Sequence, residues 1–206
     1  MFIGDIKAAT GRVQEEQRVM QEIMKIKKAF TSKSISGYNR KKYMWKLIYI
    51  YMLGYEVDFG LNEINSLMNS LKYSEKCTGY IAISVLIRDS NLNILEAALP
   101  TIKNDLTSPQ ESHKSLALSI IGNGGFKILS EKLNLEVAQL ALNENNHNNY
   151  IKKKALGCLL SILRRDYSYF SEQWITPLRL VMQSKSFGVL LAVVPLITLI
   201  ILKFGN

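Results

Sequence analysis

Lys153-Lys154-Ala155-Leu156-Gly157-Cys158 opens an apolar helical run, and three upstream stretches open the same way. They are Lys42-Tyr43-Met44-Trp45-Lys46-Leu47, Lys76-Cys77-Thr78-Gly79-Tyr80-Ile81 and His113-Lys114-Ser115-Leu116-Ala117-Leu118. From Lys42 to Lys76, Lys114 and Lys153 the steps are 34, 38 and 39 residues. Between these runs lie others of similar length, so each period holds two helices. The pattern predicts helices at about 14–30, 40–53, 61–71, 75–88, 92–106, 111–122, 126–142, 149–165, 168–182 and 186–203. Short breakers separate them: Lys72-Tyr73-Ser74, Asp89-Ser90-Asn91, Ser108-Pro109, Gly122 to Gly125 and the Asn-rich stretch Asn143 to Asn149. Gly54 stands where the second helix should be capped.

A drifting period of this length, two helices per unit, is the signature of HEAT- or armadillo-like repeats. One helix pair cannot bury its apolar face alone, so neighbouring pairs must stack. The fold class read from the chain is all-α: a right-handed α-solenoid of helix pairs, with residues 1–206 a single segment. The last helix, Phe187 to Leu202, holds sixteen residues without a charge and no polar cap follows it. That predicts a piece of a longer solenoid. A membrane span normally needs about 20 apolar residues. This run is shorter and holds Gly188 and Pro195, so a buried solenoid helix is the better reading.

Composition narrows the classes. With 206 residues, 48% of them hydrophobic, and only four prolines, the chain can bury a sizeable core. Mean hydropathy is +0.03. Met1-Phe2-Ile3-Gly4-Asp5 lacks the charged start and apolar run of a secretory signal. Cys77 and Cys158 each sit inside an apolar stretch and read as reduced core thiols of a cytosolic protein. His113 and His147 have no ligand spacing, so no metal or other cofactor is expected. No nucleophile–base pair, phosphate-binding glycine loop or carboxylate pair stands out. Asp5, Asp58 and Glu63 do not suit acid–base work, and Asp58-Phe59-Gly60 lacks the companions of a kinase motif. An enzyme is not expected.

The net charge of +9 is concentrated. Between Lys25 and Lys46, 22 residues hold Lys25, Lys27, Lys28, Lys33, Arg40, Lys41, Lys42 and Lys46 and no acid. A localised basic patch is the footprint of an anionic partner. Asn39 suits a helix cap, which would put Arg40, Lys41 and Lys42 in the first turn, against the positive end of the helix dipole. Lys42 and Lys46 form a like-charge pair one turn apart. Local conflicts of this kind are expected where function requires them. Arg40, Lys41, Lys42 and Lys46, with the helix-start N–H groups, would hold a multiply charged phosphate. Tyr38 and Tyr43 could add hydroxyls and apolar walls. Set against this is the plainer reading of a solvated face. A second cluster, Lys152-Lys153-Lys154, opens a later helix; solvated surface is the plainer reading there, a further anion patch the sharper one. Trp45, Tyr49 and Tyr51 lie at helical spacing and read as core or subunit interface.

At these residues a resemblance enters. Gly37-Tyr38-Asn39-Arg40-Lys41-Lys42-Tyr43, then Lys46-Leu47, Leu53-Gly54 and Asp58-Phe59-Gly60, resemble the N-terminal trunk of the adaptins, large subunits of clathrin adaptor complexes. Phe2-Ile3-Gly4-Asp5-Ile6, Lys72-Tyr73-Ser74-Glu75-Lys76, Gly79-Tyr80 with Ile83-Ser84-Val85-Leu86, and Ile102-Lys103-Asn104-Asp105-Leu106 extend the match. It covers nearly the whole chain and weakens after about Ser108. Arg40-Lys41-Lys42-Tyr43 is similar to the alpha type of the plasma-membrane complex, while Met52-Leu53-Gly54-Tyr55 is equally like the gamma type.

The resemblance implies a scaffold of clathrin-mediated endocytosis, cytoplasmic and peripheral on the plasma membrane, that binds the headgroup of phosphatidylinositol 4,5-bisphosphate or a related lipid. Carried over by position, the contacts are Tyr38, Arg40, Lys41, Lys42, Tyr43 and Lys46. A basic residue that the family uses from the preceding helix aligns with Ala29, leaving Lys28 as the substitute. The family's basic residues ahead of Phe2-Ile3 are missing. It also implies sigma, beta and mu subunits as partners, the clathrin coat, and acidic dileucine cargo read partly through Lys7. The family carries arginine at Lys7, and lysine keeps the charge without the planar fork. The alternative is a basic solenoid of another class, a nucleic-acid or nuclear-transport scaffold. That class spreads its basic residues over many repeats; here they gather at one end, so no nucleic acid is expected.

Overall fold

The computed structural model describes residues 2–32, 35–143 and 148–204. Lys33, His147 and part of the Asn-rich stretch therefore lie outside the described residues. Among the described residues the regular structure is helical: α1 (Phe2–Lys7), α2 (Arg12–Phe30), α3 (Gly37–Met52), α4 (Asn62–Met68), α5 (Tyr73–Leu86), α6 (Leu92–Thr107), α7 (Glu111–Asn123), α8 (Lys127–Leu142), α9 (Asn149–Arg165), α10 (Ile175–Val181) and α11 (Phe187–Phe204). The chain divides into two compact units, Met1–Ala98 and Leu99–Asn206.

In the first unit α2 and α3 pack as an antiparallel pair, α4 and α5 form the next, and α3 lies along α5. Side-chain contacts give the direction of α3 against α5. Lys41 meets Ser74, Trp45 meets Thr78, and Tyr51, near the end of α3, meets Arg88 just past α5. Partners 33 to 37 residues apart advance together, so α3 and α5 run parallel, one repeat apart. The core between them holds Met44, Leu47, Ile50, Ile64, Met68 and Ile83, all at 0% exposure. Gly79 lets α5 approach α4 closely, because a Cβ there would stand 2.8 Å from the backbone nitrogen of Met68. The end of α3 is sealed at Gly54, whose φ of 95° lies in the left-handed region that a glycine adopts without strain. Gly54 N–H donates to the Tyr51 carbonyl and Tyr55 N–H to that of Ile50, the paired bonds of a Schellman cap.

The second unit repeats the scheme. α7 packs on α8 and α9, α9 on α8 and α11, and α10 on α11. Ser115 meets Tyr150 and Lys154, and the carbonyls of Ile121 and Gly122 meet Arg165, so α7 and α9 also run parallel. α9 starts at Asn148, whose Oδ1 accepts from Ile151 N–H at 3.0 Å, and buries Ile151, Ala155, Leu156, Leu159 and Ile162 along one stripe. This is the stacking that the 39-residue step predicts, as the 34-residue step does within the first unit.

Here the structure differs from expectation at α1 and at residues 168–182. α1 was not foreseen. The stretch expected as one helix over 168–182 is two 3-10 turns, Tyr167–Tyr169 and Glu172–Trp174, followed by α10. Pro177 sits in the first turn of α10, where the N–H that proline lacks has no partner within the helix. In α2 the buried face is Val19, Glu22 and Ile26, whereas Val13, Met20 and Met24 stand 68%, 54% and 63% exposed. The helix expected to be buried, α11, buries only one face: Val189, Val193 and Leu196 are fully covered while Phe187, Leu191, Val194, Ile201 and Leu202 are exposed, and among the described residues no helix is long and apolar enough to cross a membrane.

Candidate anion-binding helix

α3 begins three residues earlier than Asn39 suggests. Ser36 is its cap, with Oγ accepting from Asn39 N–H at 3.4 Å. Serine and asparagine cap equally well, so sequence alone could not choose between them. Gly37, Tyr38 and Asn39 therefore form the first turn, and Arg40, Lys41 and Lys42 open the second. The dipole conflict is milder than expected. Side chains still lean toward the helix start, so these cations surround it.

An acid is there as well. A Cβ on Gly37 would collide with Oε2 of Glu75, so the Glu75 carboxylate lies directly against the first residue of α3. Ser70 Oγ donates to that same oxygen at 2.7 Å.

The four cations divide two and two. Arg40 Nε donates to Glu63 Oε2 at 2.5 Å, and both side chains are largely covered. Lys46 donates to Glu22 Oε1, and Arg18 Nη1 donates to Glu22 Oε2 at 2.9 Å. Glu22 is 3% exposed. Burial alone would raise its carboxyl, but hydrogen bonds from Lys46 and Arg18 outweigh that and hold it below the usual carboxylate range. Lys46 is thus committed to the fold. Lys41 and Lys42 carry no ion pair among the described residues. Lys41 Nζ donates to Ser74 Oγ at 3.3 Å and lies 6.0 Å from the Tyr38 ring centre, while Lys42 is exposed.

Tyr38 is 65% exposed and its hydroxyl is free to meet a ligand. Tyr43 is half-buried, packed edge-on to Phe30 at 6.1 Å, with Lys46 5.7 Å above its ring. Its role is to join the end of α2 to α3. Lys28 is exposed in the last turn of α2. Lys7 is exposed at the end of α1. Trp45 donates to Thr78 Oγ1 at 3.1 Å, Tyr49 packs edge-on to Phe2, and Tyr51 lies under the Arg88 guanidinium at 4.9 Å. All three join neighbouring elements.

Ser74, Glu22, Glu63 and Glu75 belong to the site and were missed. Ser74 was legible, lying one repeat beyond Lys41, 33 residues on. The carboxylates were not, because Glu22 and Glu63 reach α3 from other helices, 24 and 23 residues away.

Fold and site together define an all-helical repeat scaffold with a cationic helix start, and among the described residues no cluster of His, Cys, Asp and Glu could hold a metal ion. Residues 15–203 match the family described as the adaptin N terminal region. The chain belongs to that family. It is similar to the AP-2 complex subunit alpha of Schizosaccharomyces pombe, with 36% identity over 202 residues, 98% of this chain and 23% of that protein. It is also similar to the AP-2 complex subunit alpha-2 of Dictyostelium discoideum, 36% over 201 residues, covering 95% and 20%. Its identity to the AP-1 complex subunit gamma-1 of Schizosaccharomyces pombe is 32% over 191 residues, covering 93% and 22%. The chain thus spans under a quarter of the length of these relatives.

Proposed function

We propose that this chain is part of a membrane-coat adaptor scaffold of clathrin-mediated endocytosis, and that α3 docks it on phosphoinositide headgroups at the cytoplasmic face of the plasma membrane. The observation carrying this is the pair Lys41 and Lys42, unpaired by any described carboxylate, beside the exposed Tyr38. Lys28 adds charge from the end of α2. Near an anionic membrane each such cation contributes about 1 kcal/mol. Attachment is therefore reversible and depends on further weak sites in a complex. Arg40 and Lys46 support the site by bracing α3 against Glu63 and Glu22, and Tyr43 by packing.

Within this reading the two units continue one solenoid segment, and the chain acts as a scaffold without catalysis of its own. Its partners are the sigma, beta and mu adaptor subunits and, through them, clathrin and dileucine cargo. The exposed Val13, Met20 and Met24 of α2 line a groove of about 1290 Å³ suited to a subunit surface. In this reading Lys7, exposed at the end of α1, meets the acidic signal.

The test is co-sedimentation with phosphatidylcholine vesicles, with and without phosphatidylinositol 4,5-bisphosphate at matched total charge, in about 0.15 M salt. K41Q/K42Q is the informative variant; changing Lys46 would strand Glu22 and confuse folding with binding. Selective pelleting lost in the variant supports the reading. Equal pelleting with any anionic vesicle, or none, refutes the headgroup site on α3 and leaves the scaffold half of the reading.

A further inference from the structure

The second unit has its own basic helix start, and it differs in kind from the first. Between α7 and α9 lies a cavity of about 410 Å³, within the size range of ligand sites. It exists because two glycines face it. A Cβ on Gly157 would meet no atom within 4 Å, and one on Gly122 would only touch Cys158 at 3.4 Å. Its wall is mixed, with Leu118, Cys158 and the glycines beside Ser119, Tyr150, Lys153 and Lys154, and no carboxylate is among the lining residues.

At its mouth Lys154 Nζ donates to Ser115 Oγ at 2.6 Å, and Ser115 Oγ lies 2.9 Å from the Tyr150 hydroxyl. Lys154 also stands 5.9 Å from the centre of the Tyr150 ring. A protonated lysine has three donors, and Ser115 takes one. Neither Lys153 nor Lys154 forms an ion pair among the described residues, so both charges remain available to a ligand. Cys158 on the cavity floor does not oppose an anion, since burial pushes its thiol up to about 12 and keeps it neutral. The Ser115 hydrogen bond and the Lys154 charge together favour negative charge on the Tyr150 oxygen, the same preference an anionic ligand would meet.

We propose that this cavity is a second anion site, taking a phosphomonoester. Lys153 and Lys154 supply the charge and most of the donors, the Ser115–Tyr150 hydroxyl pair supplies one more, since one of its two protons is spent between them, and the bare face of Gly157 supplies the room. A phosphorylated inositol ring, as a lipid headgroup or as a soluble inositol phosphate, carries that chemistry. The residues are distinct from those of α3, so the site stands or falls independently of the reading above.

Calorimetric titration of the whole chain with inositol trisphosphate tests it, using wild type, K41Q/K42Q, K153Q/K154Q and G157M. Wild type should bind at two sites and K41Q/K42Q at one. In K153Q/K154Q the cavity site should weaken by about tenfold or more, the scale of one lost charge-assisted contact. G157M fills the cavity without changing charge and should do the same. Its Cβ meets no atom within 4 Å, and an unchanged urea midpoint would show that it folds. Binding unchanged in both K153Q/K154Q and G157M overturns the proposal, as does loss of all binding in K41Q/K42Q. A single site lost in K153Q/K154Q but kept in K41Q/K42Q upholds it while overturning the α3 site. Vesicles containing phosphatidylinositol 4,5-bisphosphate separate the sources. Pelleting of K41Q/K42Q assigns the cavity to the lipid, and trisphosphate binding without pelleting assigns it to the soluble form.

Discussion

The two basic helix starts look alike in sequence and are built on opposite principles. In α3, Arg40 and Lys46 meet carboxylates on other helices, and Glu75 stands against Gly37. In α9, Lys154 meets a serine and a phenol, and Lys153 meets no acid among the described residues. Paired cations hold helices together; hydroxyl-paired cations keep their charge for something else. A run of lysines therefore says little until the acids that reach it from elsewhere are known.

The largest effect that separates the two regions is expected at Glu22. Glu22→Ala leaves Lys46 without its partner and Arg18 with Asp5 alone, and should cost about 3 kcal/mol, typical of breaking a covered ion pair on one side. Urea denaturation measures it. Because Glu22 is held below its ordinary 4.5 in the folded chain, its contribution is complete above that value and is lost as pH falls through the folded value. Glu22→Gln should flatten that acid limb. An equal loss in Ser115→Ala would erase the contrast.

Next come two glycines in corresponding helices. Gly79→Ala drives a methyl toward the Met68 backbone and should destabilise by about 2 kcal/mol. Gly157→Ala meets open space and should stabilise by about 0.5 to 1 kcal/mol through helix propensity alone. Thermal midpoints moving in the same direction would show that the two helix contacts are equally close.

Ser115→Ala should cost no more than about 1 kcal/mol, because the freed Lys154 can turn to water. The smallest difference is chemical: a thiol reagent at neutral pH should label the partly covered Cys77 well before Cys158, which is buried and held neutral. Mass spectrometry reads the order.

Helix positions and the repeat were legible because apolar spacing and Gly54 are local signals. Which apolar stripe of α2 faces inward was not, since Val19 with Ile26 and Met20 with Met24 have equally good helical spacing. The boundary at Ser36 was hidden by Asn39, an equally good cap. In the site, the cations and Tyr38 could be read directly, and Ser74 could have been found by adding one period to Lys41. Glu22 and Glu63 could not, because nothing near them in sequence records which helix they will face. Tyr43 looked like a ligand contact and is held by Phe30.

Arg165 has a consequence for how the second unit opens. Its guanidinium donates to the carbonyls of Ile121 and Gly122 at the end of α7 and to Ser130 Oγ in the first turn of α8, all from the last residue of α9. Fraying the end of α9 therefore releases two other helix termini at once. In amide hydrogen exchange those three segments should lose protection in a single shared event, and Arg165→Ala should uncouple them into separate, faster ones.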